Sequence, residues 1–345
     1  MSADPRWVGD PAIGWRILLT ARLDAAPDPA TVATRLAALY AEEGWGAVPG
    51  PEPDQDVRRL QARLTADRPE PVLVGTADGS VVVSAHHSRV DGLGLLQVLG
   101  ATIGGPVRSS ARGVGGRPST GGVVGTVAER LREVVVRPPA ALDPPTTLTR
   151  GPGHADGPDT LAELDVEGRF RTADLVHAAA GAAVAHQRSL GLRSAPVAVA
   201  VGATREGRPD GPIADASVLL RLRDVERLDR DQVAAALRSA PVQTPPAVRG
   251  PLGRTVDPLL RAGTRALSRR LGSTLLVSHL GDVTAPASVE RLAFHPVTAG
   301  GSGVSLGAVA LADGARTVLT LRARSDRWQD DGLEQVLEAI AGRLV

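Results

Sequence analysis

The chain has 345 residues, enough for a large buried core and, on length, two subdomains. Its 39 basic residues balance 38 acidic ones, for a formal net charge of +1, and aromatic residues make up 2%, so neither nucleic acid nor an anionic membrane is implied as a partner. The sequence contains no Cys, Lys or Asn, which excludes disulfides, thiolate nucleophiles, Cys-ligated zinc, Schiff-base chemistry and N-glycosylation.

Residues 1–20 carry acidic residues and prolines and no apolar core of signal-peptide length. No stretch reaches about 18 consecutive apolar residues, so no membrane span is expected and the cytoplasm is the expected compartment. Residues 14–23 read as a strand. A helix follows from about Asp28, with Val32, Leu36, Leu39 and Tyr40 on one face, and a second covers 56–66. Residues 71–86 form two apolar runs around Ala77-Asp78-Gly79, a hairpin signal, and the second strand ends at His86 and His87. After Asp91, Leu93, Leu96, Leu99 and Ile103 recur at helical spacing. Residues 104–122 are rich in Gly, Ser and Arg and are expected to form a flexible loop before a helix over 123–136.

A Pro/Gly-rich connection over 138–160 separates an N-terminal part, 1–137, from a C-terminal part, 161–345. In the latter, 160–166 reads as a strand and 172–190 as a small-residue helix with Thr172 at its N-cap. Strands are expected at 195–203, 217–225 and 273–282, and helices at 230–240 and 256–271. A hairpin around Asp313-Gly314 and a closing helix from 330 complete a mixed α/β (α+β, layered) reading. His177 and His186 share a helix but lie nine residues apart on different faces, a poor metal pair.

The stretch that calls for chemistry is "AHHSRVDG", residues 85–92. Imidazole, with an ordinary pKa of about 6.5, suits proton abstraction near neutral pH. Neighbouring side chains on a strand face opposite ways, so His86 and His87 cannot both enter one cleft. Asp91 can accept from an imidazole nitrogen, or pair with an arginine and brace the loop; Arg22 and Arg205 are candidate partners. Gly92 permits close backbone approach.

His86-His87, three spacers, then Asp91-Gly92 resembles the signature of the thioester-dependent acyltransferase superfamily. That group includes chloramphenicol acetyltransferases, nonribosomal peptide synthetase condensation domains, wax ester synthases and polyketide-associated acyltransferases. Weaker likeness runs along the chain, in the opening strand–Asp–helix unit, in the strand and Arg-bearing loop over 197–209, which holds Arg205, and in "SHLGD", with His279 where the family has asparagine. The resemblance implies two chloramphenicol-acetyltransferase-like subdomains in a V-shaped pseudo-dimer with a tunnel at their junction. It also implies transfer of an acyl group from a CoA or phosphopantetheine (carrier-protein) thioester to an amine or hydroxyl, with no metal and no tightly bound cofactor. It assigns His87 as the base, His86 as a buried support and Asp91 as a brace. Ser278, His279 and Arg205 are candidate substrate-binding residues, and Ser302 and Ser305 are either oxyanion donors or plain hairpin residues. Two alternatives stand beside it: a repurposed relative catalysing cyclisation, elimination or hydrolysis of a tethered intermediate, and a non-catalytic relative that docks a carrier protein.

Overall fold

The structure, a computed structural model, describes residues 15–66, 68–119, 139–144, 159–193, 195–205, 211–243, 272–298, 303–324 and 328–345. The helices expected at 123–136 and 256–271 and most of the 138–160 connection lie outside these residues.

Strand β1 (Arg16–Leu23) leads into helix α1 (Pro29–Glu43). Asp28 starts the helix by accepting from the Ala30 and Thr31 N–H groups, Pro29 sets the first φ, and Gly44 ends it at φ 63°. Strand β2 (Glu52–Pro53) and helix α2 (Val57–Leu64) follow. Next, β3 (Val72–Ala77) and β4 (Ser80–His86) form the expected hairpin. Asp78 and Gly79 both take positive φ, 42° and 70°, which matches the right-handed twist of the paired strands. Helix α3 (Gly92–Ile103) then packs against α1. In β4 the pleat divides the side chains. Val81, Val83 and Ala85 pack with α1 and α3, whereas Val82 packs with Leu60 and Leu64 of α2 on the opposite face. Burial on both faces explains why these strands read as continuous apolar runs.

A second sheet is built from β6 (Thr160–Glu167), β7 (Val199–Thr204), β8 (Ser217–Leu222), β9 (Leu275–Thr284), β11 (Val304–Leu311) and β12 (Arg316–Ala323), in the order β6-β12-β11-β9-β7-β8. Helices α4 (Thr172–Ser189), α5 (Arg230–Ser239) and α6 (Asp330–Ala341) lie along it, with alanines of α4 buried among Val199, Val201, Val277 and Leu319. The α4 N-cap is Arg171 rather than Thr172; its backbone N–H donates to Asp174 Oδ2 at 2.9 Å.

The chain order of the two halves does not match the sheets. Strand β10 (Val289–His295), which the local pattern does not announce, leaves the second half and pairs antiparallel with β1, so the first sheet runs β10-β1-β4-β3-β2. In return, β5 (Arg108–Ser109) leaves the first half and pairs with the end of β9. The Gly/Ser-rich stretch expected to be a free loop is therefore tied down as far as it is described. Val114 and Gly115 N–H groups donate to Thr204 and Arg205, and Ser119 bridges to Val242.

Because β10 crosses the second sheet, its backbone needs partners there. The Thr320 hydroxyl donates to the Phe294 carbonyl, and the buried Arg322 guanidinium donates to the Arg16 and Pro296 carbonyls while pairing with Asp159. Gly307 makes the approach possible: a Cβ there would overlap the Phe294 carbonyl oxygen and lie 2.8 Å from Pro296 Cδ. At the sheet edge, Glu163 of β6 takes His295 Nε2 at 3.0 Å, Arg291 at 2.6 Å and the Gln61 amide at 2.8 Å. Burial alone would raise the Glu163 carboxyl; His295 and Arg291 outweigh it and hold it well below the usual carboxylate range.

Two outcomes follow. Gly307→Ala overpacks the crossing and is expected to cost about 3 kcal/mol, read as a lowered urea midpoint. Glu163 has a folded pKa below its ordinary value of 4.5, so its contribution is full above that pH and is lost as pH falls below it. Urea midpoints of the wild type and Glu163→Gln should therefore differ most at pH 7 and draw together progressively as pH falls below 4.5.

Candidate functional site

His86 ends β4 on the α2 face, and its Nδ1 lies 2.7 Å from Ser88 Oγ. His87 follows in the turn after β4; its N–H donates to the Trp15 carbonyl at 2.7 Å, and its charge reaches Asp91. Both are half-buried. His86 is thus not the buried support that was expected: it lines an open depression on the outer face, described further below.

Asp91 is 5% exposed and starts α3. Its Oδ1 accepts from the Gly94 N–H at 2.8 Å, and its Oδ2 from the Ala216 N–H at 3.2 Å. Its own N–H donates to the Ala214 carbonyl at 3.3 Å. One residue therefore caps a helix of the first half and clasps the backbone of the second. This corrects the expectation of an arginine partner. Arg22 is exposed and lies 3.8 Å from Glu290 and 3.9 Å from Asp78, while Arg205 is exposed and enters the ladder through its backbone, its N–H donating to the Ala216 carbonyl. Burial pushes the Asp91 carboxyl above its ordinary value, opposed first by the two backbone bonds and then by the nearby charge of His87. His87 and Asp91 thus sense each other, but the carboxylate is placed mainly by backbone.

Gly92 is the first residue of α3. A Cβ there would stand 2.8 Å from Leu280 Cδ2 and 3.6 Å from Phe294 Cζ, so its bare backbone lets the helix start seat against β9 and β10. Leu280 is delivered by a bulge. Ala308 pairs with His279 and Ala310 with Asp282, so Leu280 and Gly281 together oppose one residue of β11, and Gly281 sits at φ 73°.

On β9 the sequence candidates separate. Leu276, Ser278 and Leu280 alternate toward the first half, whereas Leu275, Val277 and His279 alternate toward α4. Ser278 is half-buried between two glycines in register with it, Gly202 of β7 and Gly307 of β11. It therefore shares the face of the Leu280–Gly92 contact. His279 does not: its Nδ1 lies 3.2 Å from Thr172 Oγ1 at the start of α4, and burial pushes its pKa down to about 4, against the pull of Asp282. Ser305 is fully buried and its hydroxyl donates to the Pro296 carbonyl at 3.4 Å, so it belongs to the strand crossing. Ser302 lies outside the described residues.

Sequence reasoning missed the segment Ile213–Ala216, whose backbone receives Asp91 and whose Ile213 side chain faces Gly94. No local pattern marks it, because it contributes backbone rather than a distinctive side chain. Among the described residues, no group of three or more His, Asp or Glu side chains could hold a metal ion, and no helix is long and apolar enough to cross a membrane.

No family model matches the sequence, and no curated protein matches it. Solved structures do. The starter condensation domain of rhizomide synthetase, in complex with C8-CoA and Leu-SNAC, is similar at 12% identity and a TM-score of 0.57, covering 96% of this chain and 88% of that one. The first condensation domain of the calcium-dependent antibiotic synthetase, in complex with a substrate analogue, is similar at 16% identity and a TM-score of 0.50, covering 99% and 92%. The class is thereby defined at the level of fold: a mixed α/β, two-subdomain, chloramphenicol-acetyltransferase-like architecture of the condensation-domain kind. Within it, this chain carries the motif His86-His87-Ser88-Arg89-Val90-Asp91-Gly92 at the end of β4, where α3 meets the second half.

The clasp predicts unequal responses. Asp91→Asn leaves one side-chain acceptor for two backbone N–H groups, so it should cost roughly 1–3 kcal/mol. Arg22→Ala, at an exposed and distant ion pair, should stay within about 0.5 kcal/mol of wild type. Urea denaturation of the two variants tests this; equal destabilisation would restore the arginine brace.

Proposed function

We propose that the protein is an acyltransferase that moves an acyl group from a thioester to an amine or hydroxyl, with His87 as general base. The observation that carries this reading is the placement of His87. It is half-buried in the turn after β4, close enough for its charge to act on Asp91, the carboxylate that clasps the backbone of both halves.

The chemistry follows from that position. As the acceptor nitrogen or oxygen attacks the thioester carbonyl, His87 takes its proton. The new C–N or C–O bond forms, the C–S bond breaks, and the departing thiolate receives a proton from the imidazolium. Asp91 lies close enough to His87 for their charges to interact, and backbone N–H groups hold its carboxylate in place. Ser278, on the same face as the Leu280–Gly92 contact, is the candidate donor to the tetrahedral oxyanion. Neutral His279, turned toward α4, supports that face from behind and takes no part in proton transfer. The two-subdomain fold supports the reading because two reactants can reach one base between two halves, and aligning them supplies much of the rate.

For the donor, the rhizomide synthetase domain in complex with C8-CoA supports an acyl-CoA or a phosphopantetheine thioester, and Leu-SNAC in the same complex supports an amine acceptor. No tightly held cofactor enters the reaction as written.

The test is intact-mass analysis after mixing the protein with octanoyl-CoA and a pool of amine and alcohol acceptors. An amide or ester product is expected, and His87→Ala should lower its rate by about 10²–10⁴-fold while the fold, followed by circular dichroism, is retained. A water-loss or mass-neutral product would point to cyclisation or elimination instead. No turnover with any acceptor, together with binding of a loaded carrier protein, would point to a docking role.

A further inference from the structure

Beside the end of β4 lies a cavity of about 370 Å³, lined by Arg68, Pro69, Pro71, His86, Ser88 and Arg89. The pleat places His86 on the α2 side of the first sheet, with Val82, and His87 is not among the lining residues. Its composition is unusual for a surface depression. Two guanidinium groups, an imidazole and a hydroxyl face one space, and among the described lining residues the apolar walls are two prolines.

The walls are built rather than incidental. Arg16, fully buried, donates from Nη1 to the Glu70 carbonyl at 2.9 Å and the Arg68 carbonyl at 3.3 Å, and from Nε to Ser84 Oγ at 2.8 Å. It thereby fixes the Arg68–Pro71 segment against the sheet. Arg68 is oriented by Glu52, which also takes Arg63 at 2.8 Å. On the opposite wall, the Ser88 N–H donates to His86 Nδ1 at 3.3 Å and Ser88 Oγ lies 2.7 Å from the same nitrogen, which holds the ring against the turn. Arg89 is exposed and has no ion-pair partner among the described residues. The nearby acid between the prolines, Glu70, is not a lining residue, and its charge acts on Tyr40.

We propose that this depression is a binding site for a small multivalent oxyanion, a diphosphate or a dicarboxylate, gripped between Arg68 and Arg89. Arginine presents a planar fork of donors that fits either group, and a pre-oriented guanidinium loses less freedom on binding than a free one. Arg68 is pre-oriented by Glu52; Arg89 closes on the ligand from the other side. The volume admits a ligand of that size and excludes nothing larger that protrudes to solvent. The inference does not depend on acyl transfer, since it uses none of the residues assigned to it.

Isothermal titration calorimetry of the full chain with sodium pyrophosphate, and separately with malonate, at constant ionic strength tests the site. Saturable binding of one molecule per chain is expected in at least one arm, and the arm that responds assigns the ligand class. Arg89→Glu, a change at an exposed side chain that the fold does not need, should weaken binding at least about tenfold, the worth of one lost charge-assisted contact. His87→Ala should bind as wild type does. No saturable binding in either arm, or equal binding by Arg89→Glu, would overturn the proposal.

Discussion

The arrangement of this protein depends on one strand that changes sides. β10 leaves the second half of the chain, pairs with β1, and in doing so lies across the second sheet. A backbone crossing a packed sheet face has polar groups that must be satisfied, and the sheet supplies them from an otherwise apolar surface. Thr320 and Arg322 take the carbonyls of Phe294 and Pro296, and Ser305 adds a longer bond to Pro296. Gly307 clears the steric path, and Glu163 closes the edge by holding His295, Arg291 and Gln61 at once. Buried polar groups that would be destabilising alone are here the means of joining two sheets. The halves cannot separate without stripping those groups of their partners.

That junction also makes the candidate site. The start of α3 rests on Leu280 and Phe294, residues of β9 and β10, through the bare backbone of Gly92. Asp91 then ties the same turn to Ala216. Asp91 holds backbone from both halves, and its carboxylate lies close enough to His87 for their charges to interact. His86, at the end of β4, opens onto a depression lined by Arg68, Ser88 and Arg89.

Likeness in fold at 12–16% identity is intelligible from the same contacts. Most of the stabilising interactions at the crossing are side chain to backbone carbonyl, or apolar packing of Val, Leu and Ala, and such contacts tolerate wide substitution. What they do not tolerate is a Cβ at Gly92 or Gly307, where backbone or a packed side chain occupies the space.

Much of this was legible in the sequence. Asp28 and Gly44 bound α1, Asp78-Gly79 and Asp313-Gly314 turn the two hairpins, and the apolar spacing after Asp91 gives α3, because caps, turns and periodicity are local signals. Tertiary structure decided the rest. "VERLAFH" becomes a strand only because β1 offers it an edge, and the 108–119 stretch is ordered only because β9 and β7 offer partners. Asp91 finds backbone N–H groups instead of an arginine, Ser278 and His279 are sent to opposite faces, and Ser305 is consumed by the crossing. Asp91 meets Ala216, and His279 meets Thr172, across more than a hundred positions, and neither charge nor periodicity along a chain encodes which distant backbone will arrive to accept or donate a hydrogen bond.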